Sequence, residues 1–291
     1  MNGLELYTRT STEAAARVIR AYSTSFGMAA NLLPPDRRRG IRNIYALVRT
    51  ADEIVDGTAA EAGLTADQQR SVLDALEQEV LLGTARGFSA NPVVHAFAVT
   101  ARDADIETPL ITAFFHSMRR DLSPVERLSR AQYEDYVYGS AEVVGLMCLR
   151  VFLNGHAWDA ERLHPVEHGA ARLGAAFQKI NFLRDLGDDA TQLGRAYFPG
   201  ALPGQLSERE KADILDEIDE DLAAAKTGIA QLPRGPRRAT LLAAQLFEDV
   251  TAQLRRTPAA EILHRRVSVP RRRKTYLLLK TLLPANFRGR P

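Results

Sequence analysis

Apolar residues recur with the period of an α-helix along nearly the whole chain, and short proline- or glycine-bearing breaks separate the stretches. The periodic runs fall at 12–30, 37–56, 66–82, 92–104, 107–120, 129–153, 159–189, 207–231, 235–255 and 272–283. Breaks fall at Pro34-Pro35, Gly83 to Gly87, Pro92, Pro109, Pro124, Pro199 to Gly204 and Pro233 to Pro236. Ser207-Glu208-Arg209-Glu210 has the form of a capping box, in which serine and glutamate satisfy each other's backbone amides. No alternating strand pattern and no Gly/Ser linker interrupts this. The expectation is an all-α, single-domain helical bundle over residues 1–291.

Several runs are apolar on more than one face, notably "AEVVGLMCLRVFL" (141–153) and "AARLGAAFQKINFL" (170–183). Such helices belong inside a bundle. Small residues sit among the large ones: Ala141, Gly145, Gly174 and Ala175. They fit two readings, close helix packing or room for an apolar ligand between helices.

Against that apolar background, "VRTADEIVDG" (48–57) places Asp52, Glu53 and Asp56 within five residues, just after Arg49. A second acidic segment, "QKINFLRDLGDD" (178–189), repeats the spacing with Asp185 and Asp189, Asp188 inserted and Arg184 in front. Four residues on a helix put two carboxylates on one face, about 6 Å apart. A lone pair of this kind is ordinarily a solvated face. Here both pairs have apolar flanks, and Gln178 and Asn181 lie one and two turns before Asp185. Buried amides and carboxylates need partners. If the two segments face each other, their charges require cations between them.

Carboxylate oxygens are ligands that Mg²⁺ favours, commonly one or two of them beside substrate phosphate. Guanidinium forks fit phosphate oxygens. The pattern therefore suits a diphosphate held by Mg²⁺ and arginines between two helices, above an apolar chamber. Stabilising a departing diphosphate lets a C–O bond ionise. Allylic diphosphates, hence prenyl ones, ionise readily enough.

These residues resemble the squalene/phytoene synthase family over about 22–274. The resemblance is carried by "YSTSFGMAANLLPPDRRRGIRNIYALVRTADEIVD", by "MRRDL" with "YEDYVYGSAEVVGLMCLRVF", by "QKINFLRDLGDD" with "GRAYFP", and by "RRVSVPRRRK". It implies that Asp52, Asp56, Asp185 and Asp189 bind Mg²⁺, with Asn181 beside them and Mn²⁺ as a substitute metal. Glu53 and Asp188 would be accessory charges. Arg49, Gln178, Asn181, Arg184, Arg195 and Arg266 would hold diphosphate or order the metal ligands. Tyr45, Tyr136, Ser25 and Phe26 would line the reaction centre, and Tyr197 would steady the loop bearing Arg195. The implied reaction joins two prenyl diphosphates head to head through a cyclopropylcarbinyl diphosphate. Departures are Glu142-Val143 where many members have Gly-Thr, an extra residue before Arg195, and Phe247 where tyrosine is common.

Bacterial phytoene synthases fit best. The small residues Ala141, Gly145 and Ala175 favour a deep cavity, hence geranylgeranyl diphosphate as substrate and phytoene as product; with no dinucleotide-binding signature, no NADPH is expected. A C15-using homologue that makes dehydrosqualene or squalene is the alternative. A non-catalytic scaffold or membrane-surface protein is a third reading.

The formal net charge of +2 hides an asymmetry: 262–291 carries nine Lys/Arg and no acid, leaving −7 on the first 261 residues. A basic tail suits phosphate or a membrane surface. "RRRKTYLLLKTLLP" reads either as an interfacial helix or as a final helix docked on the body. "DRRRG" and "PRRRK" lack an accompanying nucleic-acid motif, so no nucleic acid is expected. One cysteine, Cys148, excludes an internal disulfide and reads as a core thiol. His164 and His168 read as a solvated pair. The expected location is the cytoplasm, with peripheral contact at the inner membrane face.

Overall fold

Helix starts and stops follow the local chemistry. The computed structural model describes residues 1–123, 128–192, 197–199, 205–264 and 276–278, of which 24–25 and 187–192 are described by backbone alone. Thirteen α-helices and a π-helical turn occur among them: α1 (Gly3–Tyr22), α2 (Thr24–Ala30), α3 (Pro35–Val55), α4 (Thr58–Glu61), α5 (Ala66–Arg86), α6 (Pro92–Asp103), α7 (Thr108–Arg120), α8 (Arg130–Val137), the π turn Tyr138–Glu142, α9 (Val143–Leu153), α10 (Ala160–Gln192), α11 (Glu208–Gln231), α12 (Arg234–Arg256) and α13 (Ala259–Ile262). No strand occurs among the described residues, and the all-α class is confirmed.

The predicted Ser207–Glu210 capping box forms, and so do boxes at Asn2–Glu5, Thr65–Gln68 and Ser129–Gln132. The first of these starts α1 nine residues earlier than the periodicity placed it. The expected single helix over 12–30 is two, because Ser23 adopts an extended conformation and caps the Phe26 amide. Pro165 does not open a helix; it lies inside α10.

The expected helix at 129–153 is broken by the π turn. Ser117 Oγ donates to the Tyr136 carbonyl at 3.0 Å, giving that acceptor a partner outside the helix where the turn widens. Gly139 permits the approach, since a Cβ there would lie 2.6 Å from both the Ala113 carbonyl oxygen and Ser117 Oγ. By length and composition Arg130–Leu153 could cross a membrane, yet over half of its most apolar window is buried inside the bundle.

The crossing of this segment over α10 decides the two readings of the small residues. A Cβ on Gly174 would lie 2.4 Å from the Ala141 carbonyl oxygen, and one on Gly145 would lie 2.4 Å from that of Ala170. Ala175 is fully buried. These residues serve backbone-to-backbone packing, so the expectation that they deepen a ligand cavity is corrected.

Two large apolar clusters result. One gathers α3 with α5, α6, α7 and α9 around Ile44, Leu47, Phe97 and Phe114. The other gathers α8, α10, α11 and α12 around Tyr133, Ile180, Leu183 and Leu215. The two acid-bearing helices thus belong to different clusters, and α9 packs against both of them. Leu277, in the basic tail, is buried against Ala29, Leu242 and Leu246, which is the docked alternative for that turn.

Candidate active site

Helix α3 carries Tyr45, Arg49, Asp52 and Asp56 at intervals of four, three and four residues, one stripe along its surface. The rest of the helix secures that stripe: Ile44, Leu47, Ala51, Ile54 and Val55 are buried. The helix ends at Val55, with the Asp56 amide donating to the Asp52 carbonyl at 2.8 Å. Gly57 then turns the chain at φ +109°, a conformation that side chains rarely adopt.

Asp52 sits half-buried amid like charge. Burial pushes its carboxyl up to about 8, Asp56 adds to the rise, Arg49 opposes it, and Asp121 and Glu53 add further. Arg49 fails to neutralise it because its own partner is Glu53, to which Arg49 Nε donates at 2.6 Å. Its guanidinium also lies 4.5 Å over the Tyr22 ring. Four carboxylates therefore meet at one end of α3. A divalent cation relieves such crowding, and oxygen donors of this kind fit Mg²⁺.

Tyr45 stacks on Phe26 of α2 at 5.7 Å between ring centres. Burial raises its phenol above the ordinary value, while Arg49 and a hydrogen bond with Ser23 work against the rise. The side chain of the neighbouring Ser25 lies outside the described residues.

On α10 the corresponding stripe is Gln178, Asn181 and Asp185, all half-buried, with Ile180, Phe182, Leu183 and Leu186 buried beside them. Asp185 has its own cation: Arg184 donates through Nε at 2.9 Å and Nη2 at 2.5 Å, a two-bond fork. The side chains of Asp188 and Asp189 lie outside the described residues, as do Arg195 and Arg266.

Aromatic side chains of the second cluster stack on one another. Tyr136, Phe182 and Tyr197 form a three-ring stack, with Phe182 4.0 Å from Tyr197 and Tyr136 5.7 Å from each. The Tyr136 hydroxyl donates to Asp121 Oδ1 at 2.7 Å. A hydrogen bond and a ring stack thus link Asp121 through Tyr136 to Phe182, about one turn before Asp185, and the charge of Asp121 bears on Asp52. Sequence reasoning singled out neither Asp121 nor Phe182. The signal for Asp121 was faint, an acid after two arginines in "MRRDL".

Two clefts lie elsewhere. One, about 450 Å³, is lined by Arg130, Tyr133, Glu142, Arg172, Lys179 and Glu217. The other, about 410 Å³, is lined by residues including Glu77, His116, Arg119 and Tyr138. Neither includes an aspartate of the two acidic stripes. His164 and His168 are both exposed, as expected of a solvated pair. Cys148 packs against the first cluster, and burial pushes its thiol up to about 12.

Comparison with known proteins decides the family. The family model described as squalene/phytoene synthase matches residues 19–273. The chain belongs to that family. A 15-cis-phytoene synthase from Paracoccus sp. is 30% identical, the match covering 92% of this chain and 88% of that protein. A phytoene synthase from Thermus thermophilus is 28% identical, covering 96% and 95%. The solved structure of a dehydrosqualene synthase in complex with ligand superposes with a TM-score of 0.76 at 22% identity, covering 96% of this chain and 98% of that one. The protein is a prenyltransferase of the squalene/phytoene synthase family, whose members act on prenyl diphosphates and condense them head to head. The scaffold reading falls away.

Proposed function

We propose that the protein condenses two geranylgeranyl diphosphates, through prephytoene diphosphate, to phytoene. The observation that carries the reading is the crowding of half-buried Asp52 by Asp56, Asp121 and Glu53, which Arg49, hydrogen-bonded to Glu53, only partly offsets. The phytoene synthases among its relatives support the C20 substrate. Asp52 and Asp56 would hold Mg²⁺ on one side of the site, and Asp185 and Asp189 with Asn181 on the other. When bound, the metal supplies charge stabilisation for the leaving diphosphate.

The protein's own groups do the rest. Arg49 and Arg184 exchange their carboxylate partners for diphosphate oxygens, whose geometry suits a guanidinium fork. The first C–O bond breaks with its electron pair leaving on diphosphate. The allylic cation adds to the double bond of the second substrate, and loss of a proton closes the cyclopropane. A second C–O cleavage and rearrangement then give the 1′-1 linked chain, which loses a proton to become the triene. Phe26, Tyr45, Tyr136 and Phe182 place aromatic faces beside the cation and help exclude water.

A C15 substrate is the second reading. It is favoured by the use of Gly145 and Gly174 in helix crossing and by the dehydrosqualene synthase fold neighbour. The test incubates purified protein with Mg²⁺ and labelled C15 or C20 diphosphate, without NADPH. Phytoene from the C20 substrate is expected. Dehydrosqualene from C15 alone, or squalene appearing only with NADPH, would replace the proposal by the second reading.

A further inference from the structure

We infer that Asp121 is a positioning residue, fixing the direction in which the Tyr136 hydroxyl points. The inference rests on the condensation reading above and adds a residue to it. Asp121 is the C-cap of α7, on neither of the two helices that carry the aspartate stripes.

Tyr136 is restrained at every part of its structure. Its ring lies parallel to Phe182 and Tyr197, with interplanar angles of 16° and 9°. The Arg120 guanidinium stands 5.8 Å over the ring centre, and is itself tied to the Gln132 carbonyl and Asp135 at 3.1 Å each. Its backbone carbonyl accepts from Ser117 at the start of the π turn. Only 4% of Tyr136 is exposed. Packing alone would account for the ring but would leave the hydroxyl free to rotate.

Asp121 removes that freedom. An ionised carboxylate accepts hydrogen bonds and donates none, so the phenolic hydrogen must point at Asp121 Oδ1, 2.7 Å away. The oxygen lone pairs then face another direction and are richer in electron density, because a charged acceptor polarises the O–H bond. Asp121 is close enough to Asp52 for its charge to bear on that carboxyl. The oriented oxygen can then steady positive charge or accept a proton that condensation releases. The proton balance of the reaction is unchanged.

The test uses the full-length protein with Mg²⁺ and C20 diphosphate. Asp121→Leu should lower kcat by about 10- to 100-fold, the worth of a hydrogen bond to a charged group. KM should stay within about two-fold, since a positioning residue does not hold substrate. Asp121→Asn keeps an acceptor oxygen and the side-chain shape, guards against misfolding, and should recover most of the loss. Adding Asp121→Leu to Tyr136→Phe should cost nothing further. The labelled phenol carbon of Tyr136, assigned by NMR from its absence in Tyr136→Phe, should shift in Asp121→Leu.

Additive losses in the double variant would overturn the inference. So would a change in Mg²⁺ requirement instead of kcat, which would make Asp121 a metal ligand. An unmoved Tyr136 resonance in an otherwise active family of variants would overturn it as well. Wild-type protein that converts no prenyl diphosphate at all would sink the condensation reading itself, and this inference with it.

Discussion

Asp52 and Asp185 hold matching places on two helices, yet their surroundings are opposite. Asp52 faces Asp56, Asp121 and Glu53, and the nearby arginine is drawn off by Glu53. Asp185 is gripped by Arg184 through two bonds. At one acidic end carboxylates crowd Asp52, and at the other Asp185 is held by Arg184. The difference teaches that a repeated motif need not mean a repeated site. A cation should settle first where carboxylates crowd one another, and the second end should become available only after Arg184 lets go.

Turnover gives the largest test of that contrast. Asp52→Asn and Asp185→Asn should each reduce condensation by about a thousand-fold or more, the scale of lost charge stabilisation at a leaving group, with helical content by circular dichroism unchanged. Near-normal turnover in either variant would show that one stripe suffices and break the pairing.

The relative placement of the stripes depends on how the π turn and α9 cross α10. Gly174→Ala pushes a methyl against the Ala141 carbonyl. It should cost about 1–3 kcal/mol, read as a lowered midpoint in chemical denaturation. Gly3→Ala, with nothing near its Cβ, is the control. Equal stability of the two variants would mean that the crossing tolerates separation, and that the stripes are less firmly placed.

That crossing also marks where sequence reading reached its limit. Helical periodicity and breakers located α5, α6, α7, α11 and α12 to within a few residues, because each has one buried face and a capped or proline-marked end. The stripes of α3 and α10 were legible for a related reason: Arg49, Asp52, Gln178 and Asn181 stood out as polar residues in apolar runs. The π turn was not legible, since its cause, Ser117, lies nineteen residues before the carbonyl it contacts. Nor could spacing reveal that Gly145 and Gly174 meet backbone and not ligand. Asp121 escaped notice because its partner Tyr136 is on another helix.

Metal binding tests the contrast without substrate. Mg²⁺ alone should raise the melting temperature of the wild type by a few degrees, since a ligand that favours the folded state stabilises it. Asp52→Asn should lose most of that rise, whereas Asp185→Asn should keep it. Loss in both variants would mean that the ends fill together.

The face of α10 turned to α11 supplies the smallest and cleanest comparison, because the acids that meet it already have cations. Lys179, almost fully buried, donates to Asp221 Oδ2 at 2.7 Å and also to Glu217. Arg130 donates to the two Glu217 oxygens at 2.9 and 3.0 Å. Burial pushes the Glu217 carboxyl up, but the hydrogen bonds from Arg130 and Lys179, with their charges, leave it below its ordinary value. A carboxyl lowered in the folded state binds fewer protons there than in the unfolded chain, so its stabilisation is complete above the unfolded pKa, about 4.3. It disappears as pH falls through the lower folded value. Glu217→Gln should therefore lower the melting temperature by about 2–4 °C at pH 7, on the order of 1 kcal/mol for a chain of this size. The gap between wild type and variant should narrow below about pH 4. A gap that stayed constant across that range would show that Glu217 acts through packing, and that the two faces of α10 do not differ in how their charges are met.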